Sequence, residues 1–309
     1  MTEISAIPVF VAVAENGSFA AAARKLGITK SAVSKRIGIL EANLGAQLFH
    51  RSTRSISLTE AGEIYLSHAV LALGSAQEAE DAVAALQGDP VGHLKLSVPM
   101  SFGQLHVAPA VPEFLQQHSG ITMELSMDDR FVDLVESGMD VALRAGTLPD
   151  SALIARKLAP IHSVLVASPD YLDRAGNPVH PQDLTDHECL HYAYSRDPLE
   201  WKFISEDGEI AVKTKGKFRV NNSEALCTTL IAGLGIGRLP TFIAGKHLAS
   251  GRLRRVLSDL AMPEQALYAV FPERQHIPAK VRAFVEFFAN HLGNGLPYWD
   301  REAGITPTR

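Results

Sequence analysis

Apolar positions in the first 58 residues recur at helical spacing in three successive blocks. Ile7, Phe10, Val11 and Ala14 share one face of a segment over about residues 4–16. Phe19, Ala22, Ala23 and Leu26 do the same within FAAAARKL, and Val33, Ile37, Leu40 and Leu44 within GITKSAVSKRIGILEANLG. Gly17 and Gly27 end the first two blocks, while Ser18 and Thr29 stand where N-capping hydroxyls belong. Pro8 fits in the first turn of its helix, where amide hydrogens lack helical partners. Helix, glycine-containing turn, helix is the helix-turn-helix pattern. Two short alternating segments, 48–51 and 55–58, then flank the polar turn Ser52-Thr53-Arg54 and predict a two-stranded wing.

A longer period follows. Over residues 59–88, Tyr65, Ala69, Ala72, Ala76, Ala79, Val83 and Leu86 recur at four-three spacing, a seven-residue repeat. Thr59 can cap this helix and Glu60 suits its positive end. Such a helix spans roughly 40 Å, and its small-residue seam can pack on a second copy or on its own chain. QGDPVG (87–92) breaks it. Beyond, the pattern switches to alternating strand-like and helix-like segments. LKLSV, ITMELSM, DVALRAG, HSVLVAS, IGRLP and ALYAVFP read as strands; GQLHVAPAVPEFLQQH, DRFVDLVESG, SEALCTTLIAGLG and PAKVRAFVEFFANHL read as helices. This predicts α/β layers with a substantially parallel sheet.

Composition adds a division of charge. Residues 1–58 hold seven Lys/Arg against three acids, a net +4, leaving −9 for the rest of a 309-residue chain whose total is −5. A small basic module on a larger acidic one points to a polyanion partner for the first module alone. Its third helix exposes Lys30, Ser31, Ser34, Lys35 and Gly38 beside the apolar stripe. Small hydroxyls and a glycine permit close approach to a major groove, and lysines reach bases or phosphates. Arg51 and Arg54 at the wing suit phosphate or minor-groove contact. No apolar run approaches the roughly 20 residues of a membrane span. The start lacks the pattern of a signal peptide, and two cysteines make no disulfide framework, so the cytoplasm is the expected compartment.

At this point the chain resembles a known family. NGSFAAAARKLGITKSAVSKRIGILEANLGAQLFHRSTRSISLTEAG (16–62) is similar to the winged helix-turn-helix of LysR-type transcriptional regulators. The likeness lies in Ser18-Phe19, Ala22-Ala23, Leu26, Ser31-Ala32-Val33-Ser34, Leu40-Glu41, Leu44-Gly45, Leu48-Phe49, Arg51 and the Leu58-Thr59-Glu60-Ala61-Gly62 run. Lys30 departs from the glutamine that many members carry. The candidate contacts to double-stranded promoter DNA are Ser18, Thr29, Lys30, Ser31, Ser34, Lys35, Arg36, Arg51 and Arg54.

The resemblance continues through VDLVESGMDVALRAGTLPDSALIARKL, LVASPDYLDRAG, PQDLTDHECLHY and IAGLGIGRLPTF. It implies three parts: a DNA-binding domain over 1–58, a linker helix over 59–88 and an effector-binding domain over 92–309. The last resembles periplasmic solute-binding proteins, with one α/β subdomain over 92–163 and 268–309 and another over 164–267. It further implies an antiparallel dimer through the linker helix, two dimers joined into a tetramer, and a small-molecule effector in the cleft between subdomains. Ligands of open α/β sheets sit at the carboxyl ends of strands. That rule selects Met100, Ser101 and Phe102 after the first strand, Asp129 and Arg130 after the second, and Gly146 and Thr147 after VALRA. Tyr194, Asn222 and Ser223 are expected on the opposite wall, with free helix-start amides favouring an anionic effector.

Other motifs are weaker. GLGIG (233–237) follows a helix and precedes a strand, the reverse of a dinucleotide loop. His187, Cys189 and His191 in HECLH, with His180 upstream, have a conceivable metal spacing but read better as satisfied loop residues. Cys189 and Cys227 sit in no electropositive setting that would make a redox pair. There is no nucleophile elbow, Walker loop or His-Glu-x-x-His sequence. The expectation is a regulator without catalytic activity, metal, cofactor or membrane partner; the alternative is a solute-sensing protein with secondary DNA contact.

Overall fold

The computed structural model describes residues 4–51, 56–85, 90–130, 133–134, 137–146, 153–195, 197–205, 208–272, 277–293 and 297–302. Two compact units emerge, one of residues 1–88 with 133–139 and one of residues 89–132 with 140–309.

In the first unit α1 (Ile7–Asn16), α2 (Phe19–Leu26) and α3 (Lys30–Leu44) precede a hairpin of β1 (Phe49–Arg51) and β2 (Ile56–Leu58), followed by α4 (Glu60–Ala85). Residues 4–6 form a 3₁₀ turn rather than the start of α1. Ser18 Oγ accepts from the Ala21 amide at 3.4 Å, and Thr29 Oγ1 from the Ala32 amide at 3.2 Å, so both caps form. Gly27 takes the left-handed φ of 63° that an L side chain resists, which lets α2 stop and α3 begin within three residues. Val33, Ile37 and Leu40 are essentially inaccessible and pack with Phe10, Ala22, Leu48 and Phe49. Burying each stabilises the unit by about 1.5–3 kcal/mol. Leu44, expected in the same stripe, is exposed: α3 ends there at Gly45, beyond the edge of the core.

The seam of α4 divides. Tyr65 stands edge-on to Phe10 with ring centres 5.0 Å apart, and Ala69 is buried in the same core. The first turns are thus committed to their own unit. Ala72, Ala76, Ala79 and Val83 lie open.

The second unit holds two five-stranded sheets. Its strands are β3 (Gly92–Val98), β4 (Ile121–Met127), β5 (Val141–Ala145), β6 (Leu153–Ile161), β7 (Ser163–Ala167), β8 (Cys189–Tyr192), β9 (Glu200–Ser205), β10 (Gly208–Lys213), β11 (Arg219–Val220), β12 (Ile236–Pro240), β13 (Arg254–Val256) and β14 (Gln265–Pro272). One sheet runs β4-β3-β5-β14-β6 and the other β11-β8-β12-β7-β13; β9 and β10 form a separate hairpin. Each sheet is only half parallel. β3 pairs parallel with β4 and β5, and β8 with β11 and β12, but β14 and β7 insert antiparallel. The chain crosses between sheets at His162, and again between β13 and β14. Return strand β14 opens at Gln265, ahead of the expected boundary at 268, because Ala266 and Leu267 already belong to the first sheet's register.

The helix predicted from GQLHVAPAVPEFLQQH is one helical run with changing pitch. An α turn over Met100–Phe102 passes into a π segment over Gly103–Val107, a 3₁₀ turn over Ala108–Ala110 and an α-helix over Val111–Gln117. Pro109 and Pro112 lack the amide hydrogens that a uniform helix needs there. The helix expected over DRFVDLVESG falls partly outside the described residues; Leu134, Ser137 and Gly138 are in turns. A five-residue helix, Tyr298–Glu302, buries Trp299 against Phe102, His106 and Phe242, while Asp300 accepts from His162 at 2.8 Å.

Candidate functional site

The cap at Thr29 and the buried stripe Val33-Ile37-Leu40 together fix which side of α3 faces outward. Lys30, Ser31, Lys35, Arg36 and Gly38 are exposed and Ser34 is partly so. None of the three cations is in an ion pair among the described residues, whereas Lys25 of α2 is neutralised by Glu15 at 2.8 Å. A cationic strip left without acids suits an external polyanion. Ser31 Oγ lies 3.0 Å from Thr29 Oγ1, so these two expected contacts also serve the helix start. Ser18 is occupied as the cap of α2. The side chain of Arg51 and all of Arg54 lie outside the described residues.

Glu41 joins this helix to the wing. Its Oε1 accepts from the amides of Leu48 at 2.9 Å and Phe49 at 3.3 Å. The Leu48 carbonyl accepts from the Thr59 amide at 3.0 Å, and Thr59 Oγ1 caps α4 by accepting from Gly62. A Cβ on Gly62 would run into the Leu48 carbonyl oxygen. The recognition face, wing and α4 thus meet at one backbone junction.

In the second unit one contact links residues that follow strands of the two sheets. Met100 donates its amide to Asp129 Oδ1 at 2.9 Å, and Asn222 Nδ2 reaches Met100 Sδ at 3.3 Å from the other subdomain. Asn222 Oδ1 meanwhile caps the helix Ser223–Ile231 at 2.8 Å. Ser101 is buried and its hydroxyl has no hydrogen-bond partner. Arg130 forks onto Asp128, with contacts from 2.7 to 3.2 Å, and those hydrogen bonds hold the Asp128 carboxyl down at about 2. Tyr194 is half-exposed and accepts from Asn221 at 3.4 Å. Gly146 is partly buried; its amide donates to Ala266. Phe102 is not at a surface at all: it is fully buried in the core of the first subdomain, so it supports the site from behind. Thr147 lies outside the described residues.

Two residues were missed by sequence reasoning. Arg144 is buried in β5 and donates to Ser97 Oγ and the Leu143 carbonyl, both at 3.1 Å. Burial lowers its pKa, opposed by the charges of Asp128 and Asp129. The signal was present as a lone arginine within the apolar run VALRA. Tyr192 lies near the same acids: its pKa is raised first by burial and then by the charge of Asp129. Nothing in the sequence singled it out from Tyr194.

The weaker motifs resolve into packing. His187 is bonded to the Tyr171 hydroxyl at 3.1 Å, and His191 to Thr214 at 2.9 Å. Cys189 and Cys227 are buried in clusters on opposite faces of the second sheet, and burial pushes their thiols up to about 12 and about 11. A disulfide between them would have to cross the sheet.

Comparison with known proteins covers both units. The family profile described as bacterial regulatory helix-turn-helix protein, lysR family, matches residues 4–63, and that described as LysR substrate binding domain matches residues 87–293. The HTH-type transcriptional regulator PtxR of Pseudomonas aeruginosa is 37% identical over 284 residues, 92% of this chain and 91% of that protein. Among solved structures, CrgA, a LysR-type transcriptional regulator from Neisseria meningitidis, superposes with a TM-score of 0.61 at 32% identity, covering 95% of this chain and 100% of that one. The full-length Vibrio cholerae virulence activator AphB gives a TM-score of 0.61 at 28% identity, covering 93% and 99%.

Proposed function

Because the chain belongs to the LysR family of transcriptional regulators, we propose that its DNA contacts are made by the exposed face of α3, with Lys30, Ser31, Ser34, Lys35 and Arg36 toward the groove and Arg51 and Arg54 on flanking phosphates. The observation that carries this reading is the division of α3 into a fully buried apolar stripe and an uncompensated cationic strip. Domain limits of 1–58, 59–88 and 92–309 follow from the same reading. The open part of α4, from Ala72 to Val83, supports pairing with a second copy, and pairing serves recognition because two α3 helices then meet two half-sites. Two such dimers make a tetramer. The relatives are regulators, and no catalytic role is assigned to any residue. Among the described residues no helix is long and apolar enough to cross a membrane; the proposed compartment is the cytoplasm.

The effector cleft is bounded by Met100, Ser101, Asp129, Arg130 and Gly146 on one side and Tyr194, Asn222 and Ser223 on the other. The orphan Ser101 hydroxyl and the helix start at Ser223 offer donors to an anion. Effector action then requires unequal affinity for two arrangements of the protein.

A gel-shift titration of purified protein on fragments of its host genome, in excess non-specific duplex, tests the function. Specific retention is expected. Loss of all retention in competitor would favour a solute sensor with secondary DNA contact. On a retained fragment, Asn222→Ala is expected to match wild-type affinity within about twofold while losing the shift produced by an active compound from a panel of small carboxylates. Replacing Asn222 by Ala removes one cap, at a cost of about 1 kcal/mol. An undiminished response in Asn222→Ala would remove that residue from the cleft.

A further inference from the structure

The two faces of the second sheet are chemically unlike. Register through β8, β12 and β7 sends Cys189, Ile236, Leu165 and Ala167 to one face and Leu190, Leu239, Val164 and Val166 to the other. Arg238, two residues beyond Ile236 and paired with Leu165, shares the first face. The helix that opens at Ser223 packs on the second, through Leu226, Cys227 and Leu230. Arg238 therefore does not share the wall that presents Asn222. On its own face Arg219 is the cross-strand partner of His191, which lies one residue beyond the Leu190–Gly237 pair and so next to Arg238. Three basic residues thus follow one another across β11, β8 and β12.

Arg238 is partly buried, and its guanidinium makes one hydrogen bond, from Nη2 to Ser195 Oγ at 3.1 Å. A guanidinium carries five N–H donors. No carboxylate accompanies it among the described residues, in contrast to Arg130, which donates to Asp128 through Nε and Nη2. Its neighbours do not compensate: Arg219 donates to the Ala193 carbonyl at 2.8 Å, and His191 is bonded to Thr214. Burial alone lowers the Arg238 pKa, with no anion acting against it. A desolvated cation without a counter-ion is costly to the fold that retains it.

We propose that Arg238 and Ser195 form a second anion site, separate from the cleft between subdomains, that takes a small oxyanion of the carboxylate or phosphate class. The planar fork of Arg238 meets two oxygens of such a group. Ser195 accepts from Arg238 and is left with its own proton to donate to the same anion. Arg219, next but one across the strands, keeps its hydrogen bond to the Ala193 carbonyl and leaves the anion to Arg238 and Ser195.

Both tryptophans, Trp201 and Trp299, lie in the second unit, so fluorescence follows its unfolding within the full chain. Melting is measured at constant ionic strength while chloride is exchanged for inorganic phosphate, and separately for acetate. The wild-type melting temperature is expected to rise saturably with at least one; at ten times Kd the folded-to-unfolded ratio increases about elevenfold. A response to phosphate alone assigns a phosphate site, and one to acetate alone a carboxylate site. Arg238→Met is expected to lose the response and to melt no lower than wild type in chloride. Lys202→Met, which removes a cation of β9 that Glu209 already pairs at 2.8 Å, is expected to keep it. Should Arg238→Met fail to fold, Arg238→Lys decides, because a point charge without the fork binds the anion more weakly. The proposal is overturned by a wild type that shows no saturable rise with either anion, or by an undiminished rise in Arg238→Met or Arg238→Lys.

Discussion

Gly62→Ala is expected to destabilise the DNA-binding unit by about 2–4 kcal/mol, the combined scale of overpacking and a lost backbone hydrogen bond. A methyl group there meets the Leu48 carbonyl oxygen and comes within 3.0 Å of Leu58 Cδ2. The first is backbone, and the second belongs to a side chain packed against the core of the unit. The carbonyl is also held by the Thr59 amide at 3.0 Å, so it cannot retreat without breaking the link between wing and α4. Thermal unfolding followed by far-ultraviolet circular dichroism reads the loss, and specific DNA binding is expected to fall with it. A Gly62→Ala variant that melts with the wild type would show that this junction is looser than the geometry requires.

Lys35→Ala is expected to leave stability unchanged or slightly higher and to weaken specific DNA binding about tenfold or more, within the range of a lost base contact of 1–3 kcal/mol. Lys35 is exposed on α3 and supports no ion pair among the described residues, so its removal takes nothing from the fold. Salt dependence separates its two possible targets. A phosphate contact would lower the slope of log K against log salt by about 0.9, with similar losses on all sequences. A base contact would leave the slope and relax discrimination between sites. Wild-type affinity in Lys35→Ala would place the recognition face elsewhere on the unit.

The first unit was legible because each of its signals is local. Three stripes at helical spacing, hydroxyl caps at Ser18 and Thr29, and a glycine after α2 all act within one turn of the residues that reveal them. Leu44 was misplaced because periodicity continues to the last helical residue whereas the core does not. The double-faced seam of α4 shows a similar limit: one repeat runs through Tyr65 and Val83 alike, yet only the three-dimensional packing shows that Tyr65 meets Phe10. In the second unit, strands were readable but their directions were not. A run of apolar residues looks alike in parallel and antiparallel neighbours, so the insertion of β7 and β14 into opposite sheets left no mark. Cleft residues at strand ends could be selected by rule, as Met100 and Asn222 were. Arg144 and Tyr192 could not, since their roles depend on which carboxylate folds against them. The helix around Trp299 is too short to have a period.

Gly38 gives the most direct measurement of whether α3 enters a groove. An alanine Cβ there meets nothing within 4 Å, and the backbone is helical, so Gly38→Ala is expected to stabilise the free protein by about 1 kcal/mol. On the same promoter fragment, titrated beside wild type by gel shift, a face that docks closely against base edges predicts weaker binding by the more stable variant. Equal or tighter binding by Gly38→Ala would contradict groove docking through this face of α3.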